Sequence, residues 1–151
     1  MSEAGFPRES AFKVSVRWDG STGGHVEFQD HPDLRFDIPR SFGGPGAGYC
    51  PEELFVASIA SCLTTTFAYL RPKLRLDARS LRVEGVSRVA FVDGAYKVVG
   101  VELRVRVEVA EGQAELAKRC LELASEYCHI TRSIKSCVPV SVDLEVVESN
   151  R

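Results

Sequence analysis

The sequence has no excess of charge. Lys and Arg number 19 against 21 Asp and Glu, a net charge of −2, and neither sign forms a run. This excludes the electrostatic footprint of a nucleic-acid or anionic-membrane binder and leaves no charged interaction tail. No CxxC pair and no HxxxH occurs, and the three histidines (His25, His31, His129) are scattered. No zinc framework or other metal site is therefore expected, although Cys128, His129 and Cys137 are the residues that would have to build one. Internal repeats and low-complexity tracts are absent. The opening MSEAGFPRES lacks the basic start and apolar stretch of a signal peptide. Five cysteines in such a chain suggest thiols held reduced, so a cytoplasmic protein is expected. Long hydrophobic runs are also missing, with one exception. Leu54–Leu70 carries no charge over 17 residues, yet it contains two serines and three threonines and is flanked by Glu52, Glu53 and Arg71. That is marginal for spanning a bilayer and natural for a helix buried in protein, so no membrane partner is expected.

What remains is ordinary globular composition, 44% hydrophobic and 26% charged over 151 residues. One domain over 1–151 is expected, with 1–10 as a flexible N-terminal segment. A chain of this length buries about 68–70% of its unfolded surface and needs no disulfide to fold. Phe12, Val14, Val16 and Trp18 alternate with polar residues, the pattern of a half-buried strand. Two further short strands are expected at 25–29 and 34–38, and RSFGGPGAGY after them reads as a loop. Pro51 suits a first helical position, and Glu52 and Glu53 complement the positive end of the helix dipole. The spacing predicts a helix over about 51–72 that is apolar on nearly every face and so covered on all sides. Strands follow at 79–92 and 101–109, joined as a hairpin at Asp93-Gly94. A second helix over about 112–127 carries Leu116, Cys120, Leu123, Ala124 and Tyr127 on one stripe. A short helix at 129–136 then leads to a strand holding Val138, Val140, Val142, Leu144 and Val146. The order βββ–α–ββ–αα–β is an α+β fold with largely antiparallel sheets around a long buried helix. Six short strands and one amphipathic helix cannot readily cover that helix, and an intertwined homodimer is the economical solution.

A cysteine is by default a small buried hydrophobe. Cys120 lies on the apolar stripe of its helix, where packing accounts for it. Cys137 is expected to open the last strand, with nothing polar placed to activate it. Cys50 precedes Pro51, but the adjacent glutamates oppose any lowering of its pKa by the helix dipole. Cys62 lies about 11 residues into the first helix, roughly 16 Å from its start, beyond the reach of that dipole. Cys128 stands at a junction between helices, where side chains can face a cleft. A disulfide between Cys62 and Cys128 requires Cα atoms within about 7 Å, which the sequence alone does not show. An acyl-transfer or protease role for Cys62 would need a histidine and an orienting acid beside it, and none is identifiable.

Two segments together resemble the osmotically inducible protein C and organic hydroperoxide resistance (OsmC/Ohr) family. PEELFVASIASC at 51–62 is similar to that family's N-P-E-E/Q-L helix ending in A-C, and CHITRSIK at 128–135 is similar to its C-P-x-S-x-x-L-K segment. The two cysteines stand 66 residues apart, as the family pattern expects. The pattern is not met everywhere: Cys50 replaces the Asn that usually precedes the proline, and His129 replaces the proline after Cys128.

The resemblance implies an intertwined homodimer acting as a cofactor-free, thiol-dependent peroxidase on organic hydroperoxides. Cys62 would be the peroxidatic cysteine, Cys128 the resolving cysteine, and an external dithiol would return both to thiols. Arg40 and Glu52 would orient the thiolate and the peroxide, with Arg17 as the alternative arginine. Ionising a typical thiol fully gains only roughly 30-fold over its few per cent ionisation at pH 7, so an Arg–carboxylate pair that aligns the peroxide matters at least as much. Glu52 and Cys62 are separated by about 15 Å along one helix. Either the helix breaks, or the glutamate of one subunit serves the cysteine of the other. The alternatives are a non-enzymatic redox sensor or apolar-ligand-binding stress protein on the same fold, and a structural protein whose cysteines are all core.

Overall fold

The computed structural model describes residues 7–150, and the expected flexible segment 1–10 falls largely outside them. The chain divides into two compact units, with the boundary in sequence between Pro51 and Glu52.

The first unit is a three-stranded antiparallel sheet, β1 (Val14–Trp18), β2 (Gly23–Phe28) and β3 (Leu34–Asp37), in the order β1-β2-β3. The register places Val16 opposite Val26 and Val26 opposite Leu34, so one face is apolar across all three strands. That face corrects one expectation. β1 forms, but Phe12 lies outside it, and Val14, Val16 and Trp18 are 52%, 64% and 69% exposed rather than half-buried. Alternation marks a face suited to burial without supplying anything to cover it. A single 3₁₀ turn, Arg40–Phe42, opens the glycine-rich loop that leads to Pro51.

The second unit holds the core. Helix α1 (Pro51–Leu70) begins at the proline, as its missing N–H favours, with Glu52 and Glu53 in the first turn. Strands β4 (Ala78–Val92) and β5 (Ala95–Ala110) pair antiparallel through Asp93 and Gly94, both at positive φ (54° and 83°), as a tight hairpin requires. Helices α2 (Ala114–Tyr127) and α3 (His129–Ile134) carry the chain across to β6 (Val140–Ser149), which pairs with β5 in parallel. Among the described residues it is the one parallel pairing; the other three strand pairs are antiparallel, in keeping with the largely antiparallel sheets expected. A parallel partner needs a long crossover, and α2 with α3 provide it.

β5 is the middle strand of the order β4-β5-β6. Its alternate residues Val101, Leu103, Val105, Val107 and Val109 are at most 2% exposed. Each fully buried side chain of this kind contributes about 1.5–3 kcal/mol. The intervening Arg104 and Arg106 face away and meet Asp143 (4.0 Å) and Glu145 (3.3 Å) of β6. Against the inner face pack Ile59, Leu63, Phe67 and Leu70 of α1 and Ala117, Cys120, Leu121 and Ala124 of α2.

Within the single chain, α1 is covered along one stripe only. In its most apolar 18-residue window, 22% is buried, although by length and composition this helix could cross a membrane. On α2 the buried stripe is rotated from the expected one. Cys120 and Ala124 belong to it, but Tyr127 is exposed, and Ala117 and Leu121 take up the contact.

Candidate functional site

Cys62 sits one residue before the buried Leu63 on α1, at the edge of the packed stripe, and is half-buried. The turn that follows it is tied back onto its backbone. Thr65 Oγ1 and Thr66 Oγ1 both donate to the Cys62 carbonyl, at 3.0 and 2.8 Å. Back-bonding of this kind satisfies the hydroxyls of threonines that a largely apolar helix would otherwise leave unpaired.

Cys128 lies between two helices in extended backbone (φ −60°, ψ 112°), ending α2 and preceding α3. Its carbonyl accepts the Arg132 N–H at 2.9 Å, and the residue is 0% exposed. The Thr131 hydroxyl, itself buried, donates to Cys128 Sγ at 3.3 Å. Cys128 also lies beside Cys62, near enough for the two thiols to influence each other's ionisation. Burial pushes the Cys128 thiol up. The Thr131 hydroxyl and amide draw it back down, and the neighbouring Cys62 thiol raises it again. Two thiols 66 residues apart in sequence thus meet within one chain, and neither is in a disulfide.

The other cysteines stand apart from this pair. Cys120 is fully buried, and loss of solvation alone pushes its pKa up to about 11. Cys137 does not open the last strand. It occupies the turn before β6, exposed, with its thiol donating to the Ile134 carbonyl at 3.2 Å. The β6 register begins only at Val140, because residues 135–139 form the turn that redirects the chain. Cys50 is half-buried.

Glu52 lies in the first turn of α1, half-buried. The helix is continuous from Pro51 to Leu70, so ten residues separate Glu52 from Cys62 by about 15 Å along the axis. Within one chain that carboxylate does not reach that sulfur. The first unit holds the two arginines. Arg40 begins the 3₁₀ turn, exposed, with Nε donating to the Pro45 carbonyl at 3.3 Å. Arg17, also exposed, is engaged by Glu27 at 2.9 Å, which raises its pKa.

Two residues escaped the sequence reading. Asp37 is only 2% exposed and organises the loop that carries Arg40. Its carboxylate accepts the Ile38 N–H at 2.9 Å, the Ala47 N–H at 2.8 Å and the Thr22 hydroxyl. The Thr22 bond above all, with the Ala47 amide next, holds its pKa below the ordinary carboxylate value. Nothing in the alternation of β3 distinguishes Asp37 from a solvent-facing acid. Thr131 did leave a signal, because a hydroxyl three residues after a helix-junction residue is spaced to bond it across the first turn.

Comparison with known proteins follows this geometry. The OsmC-like protein family model matches residues 44–143. Over 141 residues the chain is 25% identical to an uncharacterized protein, YmaD, of Bacillus subtilis, spanning 89% of this chain and 93% of that one. It is 24% identical to organic hydroperoxide resistance protein-like 2 of Staphylococcus saprophyticus, again spanning 89% of this chain and 96% of that relative. Among solved structures, an OsmC-like protein from Mycoplasma pneumoniae superposes with a TM-score of 0.82 at 12% identity, covering 93% of this chain and 99% of that one. Two three-stranded sheets, three helices and the matched motifs agree: this chain belongs to the OsmC-like family.

Proposed function

We propose that this protein is a thiol-dependent peroxidase that reduces organic hydroperoxides through Cys62 and Cys128. The observation that carries the reading is the contact between these two sulfurs, one half-buried and one fully buried. In the first step the Cys62 thiolate attacks the terminal peroxide oxygen. The O–O bond breaks, the alcohol leaves with a proton, and Cys62 becomes a sulfenic acid. Cys128 then attacks that sulfur, water leaves, and a disulfide forms before a second peroxide can over-oxidise Cys62. An external dithiol restores both thiols, and the cycle needs no cofactor.

The site is completed in a homodimer. The unbroken α1 puts Glu52 out of reach of Cys62 in its own chain, so the partner's copy of this glutamate serves the cysteine, and Arg40 supplies the charge that aligns the peroxide. Two apolar surfaces of the single chain support a second copy: the uncovered faces of α1 and the exposed Val14, Val16 and Trp18. Reduced cysteines and recycling by a dithiol fit a cytoplasmic setting.

The test is stoichiometric. One equivalent of cumene hydroperoxide should convert two thiols per chain into a Cys62–Cys128 disulfide, turnover should continue under a dithiol, and Cys62→Ser should abolish it. Equal, slow removal of hydroperoxide by wild type and Cys62→Ser would refute the enzyme. A single oxidation without turnover under any dithiol would select the redox sensor instead.

A further inference from the structure

The two sulfurs differ in access. Cys128 is 0% exposed in the single chain, and assembly can only bury a residue further, whereas Cys62 is half-buried. Of the two sulfurs, Cys62 is thus the one that presents surface to an incoming reductant. Reduction of a disulfide is an in-line displacement. The attacked sulfur forms a new bond to the reductant, and the other sulfur leaves with the electron pair. Accessibility thus decides which sulfur must carry the departing charge.

We propose that the dithiol attacks Cys62 Sγ, that Cys128 Sγ is the leaving group, and that the Thr131 hydroxyl is the catalytic donor that stabilises it. The proposal rests on the peroxidase reading and adds the direction of its reductive half. In sequence, one thiolate of the dithiol bonds to Cys62 Sγ, and the S–S bond to Cys128 breaks. Its electron pair goes to Cys128 Sγ, which takes up a proton released by the reductant. The second thiol of the reductant then displaces Cys62, releasing its thiolate and closing the reductant as a cyclic disulfide. Two electrons pass to the protein and two thiols are restored.

Thr131 is placed for this task by the fold. α3 begins at His129, and its first turn brings the Thr131 hydroxyl to 3.3 Å from Cys128 Sγ, in a buried position. A disulfide sulfur is a weak acceptor and a departing thiolate a strong one, so this bond strengthens as the S–S bond breaks. Burial opposes the charge on Cys128, and the Thr131 hydroxyl and amide oppose that penalty. A leaving thiol with a lower pKa departs faster.

The experiment uses the full-length protein oxidised with diamide, which forms the disulfide without any peroxidase activity. Reduction with excess monothiol should trap a mixed disulfide, which peptide mass mapping is expected to find on Cys62. Dithiothreitol should reduce oxidised Thr131→Val roughly tenfold more slowly than wild type, the loss of one hydrogen bond to a developing thiolate, with Thr131→Ser restoring most of the rate. An adduct on Cys128, a Thr131→Val rate equal to wild type, or a slow Thr131→Ser would each overturn the proposal. So would failure of diamide to link Cys62 with Cys128. If the valine variant does not fold, the position of the adduct on wild type still decides. Should hydroperoxide fail to oxidise the pair while these rates hold, the peroxidase reading falls and the assignment of the leaving group stands.

Discussion

Val56 of α1 stands directly over Gly85 of β4. A Cβ on Gly85 would lie 2.6 Å from Val56 Cγ2, closer than packed atoms tolerate, and a tight 3.1 Å from Leu103 Cδ2. The strand gives up a side chain at this point so that the helix bearing Cys62 can settle on the sheet. Gly85→Val should therefore destabilise the protein by about 1–3 kcal/mol, the cost of overpacking a filled interior. Urea unfolding would register it as a lower midpoint with little change in slope. A midpoint equal to wild type would mean that α1 does not rest on Gly85.

Stability should fall at alkaline pH because of Cys120. Its folded pKa is pushed up to about 11 from an ordinary 9.0, so its neutral form is favoured in the folded state. Below pH 9 the thiol is protonated folded or unfolded, and stability is unaffected. Between pH 9 and about 11 the unfolded chain ionises first, and stability is lost, by about 2–3 kcal/mol. Cys128, also raised, loses stability with the same sign. Cys120→Ala should start from a lower baseline and show a smaller decline over this range, as followed by denaturant titrations at stepped pH. An undiminished decline would remove Cys120 as its source.

Asp37 gives a prediction at the acid end. Its pKa is depressed, chiefly by the Thr22 hydroxyl and the Ala47 amide. The stability that it contributes is thus present above the ordinary carboxylate pKa and lost as pH falls through the depressed value. Asp37→Asn removes the charge and should loosen the loop at 38–48 while leaving the second unit folded. Limited trypsinolysis at neutral pH reads this directly, with cleavage after Arg40 accelerated severalfold over wild type. Unchanged cleavage would show that the loop holds its shape without the carboxylate.

Much of the architecture was legible in local pattern. The unbroken alternation from Val101 to Val109 marks a strand, Asp93-Gly94 marks a two-residue turn, and Pro51 marks a helix start. Each is a short-range rule, and each element is present, although β5 begins at Ala95, ahead of the expected 101. The parallel union of β5 and β6 was not legible, because strand pairing is decided by which partners meet in space. Nor was the exposure of Val14, Val16 and Trp18, since periodicity marks an apolar face but not its cover. Tyr127 shares the spacing of buried α2 residues yet is exposed in the last turn, since spacing fixes a stripe but not how far along the helix it is covered. The thiol pair lay between these cases. Helical spacing alone gives Cys62 no more weight than Cys120; the resemblance of two motifs singled out Cys62 and Cys128. Asp37 acts through hydrogen bonds to its loop rather than through periodic burial, so no pattern announced it, and Thr131 left only its three-residue spacing from Cys128.

The parallel seam between β5 and β6 shapes how the chain reaches its native state. The β4–β5 hairpin closes over a two-residue turn and can form within microseconds, but Val101 must wait for Val140. Until then one edge of β5 presents unpaired backbone beside a row of valines. A chain emerging from a ribosome passes through this stage with a ready template for a neighbouring nascent chain. Refolding yield should accordingly drop as protein concentration rises, and a chaperone that shields sheet edges should restore it.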